Sequence, residues 1–211
     1  MFDIEYKGGT TVVITTKKAK LVTDPKLSLL GLKDVSTKDV VAVATEERFA
    51  LTDGEVVNIS GPGEYEVADF TIRGIAATRH IDTPEDKIKR ATIYRIEISD
   101  VRVAFIGHID GEVSDDQLEM LGMVDIVCVP VGGGGYTLDA VQATKLVRKI
   151  DAKLVIPMHY ADKNSTFEVP QDELELFEKE FGGQIEHQTK LKIKSAASLP
   201  TIPTIYELAR S

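Results

Sequence analysis

The feature that most limits what this chain can become is a series of short, β-branched apolar runs, each closed off by turn residues. Val40 to Ala44, Val124 to Val131 and Lys153 to Pro157 are too short for buried helices and are bounded on both sides by polar or glycine-containing segments. Such runs are the mark of strands buried on both faces. The flanking segments add two-residue alternation. Phe2 to Tyr6 alternates, Gly8-Gly9 interrupts it, and Thr10 to Thr16 resumes, which predicts a hairpin. Ala19 to Thr23 continues as strand until Asp24-Pro25 stops it. Glu55 to Ile59 reads as a further strand, and Gly61-Pro62-Gly63 as a hard turn before one strand-like stretch, Tyr65 to Ile75. Ala91 to Ile98 and Val101 to Ile106 form a hairpin around Asp100.

The second half changes character. Ser114-Asp115-Asp116-Gln117 predicts a helix start, running through Leu121 to a stop at Gly122. A helix over Thr137 to Ile150 is predicted with Thr137 as its cap, and another over Pro170 to Phe181 closed by Gly182-Gly183. Lys190 to Lys194 alternates as an edge strand. Antiparallel strands followed by alternating strand and helix predict an α/β sandwich of mixed sheets with helices outside. No repeat or low-complexity linker divides the chain, so residues 1–195 are read as a single domain and 196–211 as a loosely attached C-terminal tail.

Composition narrows the function. Apolar residues make up 43% of the 211, enough for a core. A net charge of −9 repels phosphate backbones, so no nucleic-acid partner is expected. No apolar stretch approaches the roughly 18–20 residues that span a bilayer, and no basic leader precedes an apolar run, so no membrane partner is expected. Cys128, the only cysteine, is set among Ile126, Val127 and Val129. It reads as a buried structural thiol in a chain that cannot form an internal disulfide, which fits the cytoplasm. The expected partner is a small molecule of unknown identity. Val/Ile edges near the termini leave a homo-oligomer open.

Three of the four histidines follow strand ends: His80 after the Phe70–Thr78 run, His108 after Val101–Ile106 and His159 after Leu154–Pro157. Strand ends on one rim of a sandwich are where side chains can converge on a metal ion. His187 reads as ordinary surface. The run Gly132-Gly133-Gly134-Gly135 lies between a strand and a helix, where backbone amides can bind anions. It lacks the lysine of a phosphate loop and the spaced glycines of a dinucleotide fingerprint. The plainer reading is a turn that allows positive φ and close backbone approach.

Four segments taken together resemble the metallo-β-lactamase superfamily. They are Leu21-Val22-Thr23-Asp24-Pro25, Gly61-Pro62-Gly63-Glu64-Tyr65-Glu66-Val67, the Val124–Gly133 stretch and Ile156-Pro157-Met158-His159-Tyr160. More narrowly, they are similar to its small metal-dependent hydrolase branch of the L-ascorbate-6-phosphate lactonase type. The resemblance implies an αββα four-layer sandwich with mixed β-sheets and a rim site holding one or two zinc, manganese or iron ions. There a metal-bound hydroxide would cleave an ester, lactone or phosphodiester.

The sequence departs from that family after Val40–Ala44. Where the family carries a His-x-His-x-Asp-His cluster, this chain reads Thr45-Glu46-Glu47-Arg48-Phe49-Ala50. In this register Glu47 takes the place of the second histidine and Phe49 that of the aspartate. His80 falls at the family's next histidine, His108 at the bridging aspartate with Asp110 two residues on, and His159 at the last histidine. Three readings stay open. One is a degenerate metal site that is non-catalytic or weakly active. Another is a mononuclear zinc hydrolase on His80, His108 and His159, with Glu47 or Asp110 orienting or deprotonating the water. The third is a small-ligand or anion binder, without chemistry, using Arg48 and the Gly133-Gly134 loop.

Overall fold

A computed structural model describes residues 1–36, 40–51, 57–80 and 90–211. The first sheet has six strands: β1 (Phe2–Gly8), β2 (Thr11–Thr15), β3 (Lys20–Thr23), β4 (Val40–Ala44), β5 (Val57–Ser60) and, from late in the chain, β13 (Leu191–Ile193). Their order is β13-β1-β2-β3-β4-β5. The second sheet has eight: β6 (Gly63–Val67), β7 (Phe70–Thr78), β8 (Arg90–Ile98), β9 (Val101–Phe105), β10 (Ile126–Pro130), β11 (Leu154–Met158), β12 (Gln184–Gln188) and β14 (Thr204–Leu208). Their order is β12-β14-β11-β10-β9-β8-β7-β6. Both sheets mix parallel and antiparallel pairs: β2–β3 is antiparallel and β3–β4 parallel, β8–β9 antiparallel and β10–β11 parallel. The expected mixed α/β sandwich is therefore the architecture observed.

The continuous apolar runs divide their side chains between two layers. Ile126 and Cys128 on β10, with Leu154, Ile156 and Met158 on β11, face the six-stranded sheet and meet Ile4, Ile14, Leu21, Val41 and Val43. Val127, Val129 and Val155 face the other way. There they pack under the helices α1 (Asp115–Leu121), α2 (Ala140–Ile150) and α3 (Leu174–Phe181) through Leu121, Leu146, Val147 and Phe177. Cys128 is buried in the inter-sheet core, as its flanks predict. On the outer face of the six-stranded sheet, Val13, Val22, Val40 and Ala42 are covered by Val35 and Leu51 from irregular chain rather than by a helix among the described residues.

Four sequence expectations change. Tyr65 to Ile75 is not one strand but the β6–β7 hairpin, turning at Ala68 with φ 55°. Helix α2 is capped by Asp139, not Thr137, because Asp139 accepts from Gln142 N–H while Gln142 bonds back to complete a capping box. Helix α3 begins at Leu174, not Pro170, since residues 170–173 carry the site loop described below. The tail after Ser195 is not loosely attached: β14 inserts between β11 and β12 and buries Ile205 and Leu208. Of the expected Glu55–Ile59 strand, residues 55 and 56 lie outside the described residues, as do 81–89 of the polar Ile81–Arg90 segment. No helix among the described residues is long and apolar enough to cross a membrane.

Candidate ligand pocket at the sandwich rim

The pocket is built where four chain segments leave the sheets. After β4, Thr45 is pinned by Asp24, which accepts from Thr45 N–H and from its hydroxyl, both at 2.7 Å. That fixes the exit angle of the chain, and Glu46 then turns inward while a 3₁₀ turn over Glu47–Phe49 carries Glu47 outward. The Glu46 carboxylate is buried and takes three partners: His108 Nδ1 at 2.6 Å, Arg79 Nε at 2.6 Å and Arg48 Nε at 3.2 Å. The Arg48 guanidinium lies 4.5 Å above the Phe49 ring and 5.2 Å from that of Tyr136, and its Nη1 reaches Glu168 Oε1 at 2.8 Å.

His108 and His159 come together edge to face, their ring centroids 4.7 Å apart, between Tyr136 and Phe167. Their proton positions follow from their partners. The Gln171 amide nitrogen donates to the Val169 carbonyl, so its Oε1 is left to accept from His159 Nδ1–H at 3.0 Å. His108 Nδ1–H likewise donates to Glu46, so its Nε2 carries the lone pair. That Nε2 is buried and has no hydrogen-bond partner. Both imidazoles are held neutral. Burial, then the Arg48 and Arg79 charges, push His108 well below its ordinary value, and burial together with His108 takes His159 down to about 3. Burial raises the Glu46 carboxyl while Arg48 and Arg79 oppose it. Asp24, buried and 2.7 Å from Thr45, is pushed up to about 6 by desolvation.

The backbone is bent to make this possible. Asp24 (φ 42°) and His159 (φ 50°) both occupy the left-handed region, which costs a non-glycine residue about 1–3 kcal/mol where surroundings enforce it. A Cβ on Gly132 would lie 2.3 Å from the His159 carbonyl oxygen, so only glycine lets the chain after β10 approach β11 this closely. The enclosed cavity is about 20 Å³, room for one or two waters, between Arg48, Phe49, His108, Tyr136, His159 and Phe167.

Several expected site residues fall elsewhere. His80 donates its backbone N–H to the His108 carbonyl, but it is the adjacent Arg79 whose side chain reaches Glu46. His80 does not line the cavity. Glu47 is exposed and lines a separate cleft with Ser60, Gly61 and Thr92. Asp110 is exposed and accepts from Glu112 N–H. Gly133 and Gly134 have positive φ, but a Cβ on Gly134 would meet the Pro170 carbonyl at 2.5 Å and one on Gly133 the Asp172 carboxylate at 2.9 Å. The loop is thus packed against residues 170–172 rather than opened as an anion cradle. Arg48 alone of the expected anion-binding residues lines the pocket. His187 is exposed on β12 beside Glu207, as expected.

A family metal centre needs at least three donors around each ion. The residues present do not fit one: among the described residues no group of three or more His, Cys, Asp or Glu is placed to hold a metal ion. Glu46 is committed to three partners, and Arg48 and Arg79 add positive charge beside the imidazoles.

Two packed mixed sheets with a histidine-bearing rim define a metallo-β-lactamase-type sandwich. The chain belongs to the β-lactamase superfamily domain family, whose model matches residues 3–159. A UPF0173 protein of Pyrococcus furiosus is 32% identical over 128 residues, a stretch covering 60% of this chain and 56% of that protein. Among solved structures, a metallo-β-lactamase-superfamily protein from Thermotoga maritima superposes with TM-score 0.73 at 20% identity, covering 99% of this chain and 100% of its own. Igni18, a metallo hydrolase from Ignicoccus hospitalis, gives 0.61 at 17% identity over 85% of this chain and 90% of its own. At these identities the structural likeness establishes the fold.

Proposed function

We propose that this chain is a member of the family in which an ion-pair network replaces the metal centre. In this reading it is non-catalytic or weakly active as a hydrolase and keeps the rim pocket to bind a small molecule in the cytoplasm. Its motifs resemble those of the L-ascorbate-6-phosphate lactonase-like branch, with a degenerate first motif. The observation that carries the reading is the Glu46 carboxylate, buried against Arg79, His108 and Arg48 at 2.6, 2.6 and 3.2 Å. A guanidinium cannot be deprotonated in a protein, so Arg48 and Arg79 cannot turn into ligands. Elemental analysis of protein purified without chelators should find zinc, manganese and iron well below one per chain. Occupancy near one overturns the reading.

A second reading, a mononuclear metal hydrolase, draws on the unpartnered His108 Nε2. A carboxylate on the opposite ring nitrogen is how metal-bound imidazoles are commonly oriented. The same measurement decides between the two.

A further inference from the structure

We infer that the rim pocket receives a small 2-hydroxycarboxylate, and that the Glu168 carboxylate of the protein itself occupies the ligand's place on Arg48. The inference rests on the metal-free reading above. Glu168 lies between β11 and α3 on a segment that closes over the pocket. Phe167 packs on His159 with ring centroids 4.7 Å apart, Gln171 bonds His159 Nδ1, and Thr166 N–H donates to the Leu30 carbonyl at 2.9 Å. The Glu168 side chain is 53% exposed. Its ion pair with Arg48 is therefore of the weak, solvent-screened kind that an external carboxylate can displace. The other side of the Arg48 guanidinium is held by the buried Glu46, so the fork stays aimed when Glu168 leaves. A carboxylate suits that planar fork.

The second half of the ligand is set by His108. Its Nε2 is a buried acceptor without a donor, and an unsatisfied buried acceptor is costly. Arg48 and His108 both line the pocket and are anchored to the same Glu46 oxygen, through Nη2 at 3.3 Å and Nδ1 at 2.6 Å, so one small molecule held there meets both side chains. An anion alone would leave Nε2 unmet, and a cation would face Arg48 and Arg79. A carboxylate with a neighbouring hydroxyl satisfies both groups: the carboxylate takes Arg48 and the hydroxyl donates to His108. Phe49, Tyr136 and Phe167 wall the space and limit the ligand's size. Lys26 lines the same pocket and adds a positive charge for an incoming anion.

The test is calorimetric titration of chelator-treated protein with glycolate and with acetate, on the wild type and on Glu168→Gln, with melting temperatures confirming that the variant is folded. Glycolate should bind the variant about threefold or more tightly than the wild type, because the competing carboxylate is gone. In both proteins it should bind about fivefold more tightly than acetate, through the single added hydrogen bond. Absence of glycolate binding both with and without added zinc, equal affinity in wild type and variant, or no preference over acetate overturns the inference and leaves the metal-free reading standing. Glycolate binding that vanishes on chelation and returns with zinc overturns that reading, and the inference with it.

Discussion

Phe105 and His108 stand three residues apart, at the end of β9 and just beyond it, and both are fully buried, yet their surroundings differ in kind. Phe105 lies between the sheets among Tyr94, Val103 and Cys128, where every neighbour gains from leaving water. His108 lies among Glu46, Arg48 and Arg79, groups whose burial is costly unless each finds its partner. The interior follows from patterning alone. The rim breaks local rules, with left-handed Asp24 and His159 and an acceptor left unmatched, and such breaches concentrate where a fold is put to use.

Truncation tests the interior side of that contrast most strongly. Phe105→Ala should cost about 3–5 kcal/mol of unfolding free energy in urea titration, from lost burial plus the cavity left behind. A loss under about 1 kcal/mol would mean the sheets close over the gap and the interior is less tightly specified than its packing suggests. At the rim, Glu46→Gln should cost about 3 kcal/mol, since it removes the buried carboxylate that pairs with Arg48 and Arg79 and puts a neutral amide beside their charges. An unchanged midpoint for that variant would show that Arg48 and Arg79 reach water instead, and the contrast would dissolve.

Acid sharpens the comparison further. Both rim histidines have folded-state values below the unfolded one, so the stability they contribute is present above about pH 6.5 and is lost as pH falls, for His159 by about 1.4 kcal/mol per unit down towards pH 3. Asp24 works in reverse: its folded value of about 6 exceeds the unfolded one, so stability returns as pH falls from about 6 towards 4. Glu46, raised by burial, acts in the same direction, so the two carboxyls offset part of the loss from the histidines. His159→Asn, which tolerates the left-handed backbone, should make stability fall less steeply from pH 6 to 4 in chemical denaturation, by up to about 1.4 kcal/mol per unit. A variant that keeps the wild-type slope would place the proton uptake elsewhere.

The strands were legible because branched residues recur in runs or alternate. Helix α1 was legible because Ser114 and Gln117 spell out its capping box. The β6–β7 turn was not, because Ala68-Asp69 carries no glycine or proline, and β12 was missed because Gln184 to Gln188 is mostly exposed and shows no apolar period. At the site, strand ends pointed to His108 and His159. Choosing between Glu46 and Glu47 depended on a single 3₁₀ turn, and His80 lost its place to Arg79 one residue earlier. Gln171, Phe167 and Glu168 reach the imidazoles from a loop whose local sequence records nothing of that contact.

The placement of β14 bears on how the molecule is born. Residues Leu154 to Met158 of β11 leave the ribosome well before Thr204 to Leu208, their partner on one side. Until β14 is made, a wholly apolar strand presents a bare edge, and such edges recruit other chains. Nascent products that stall short of residue 204 should therefore be the sticky ones, handed to chaperones or lost to aggregation.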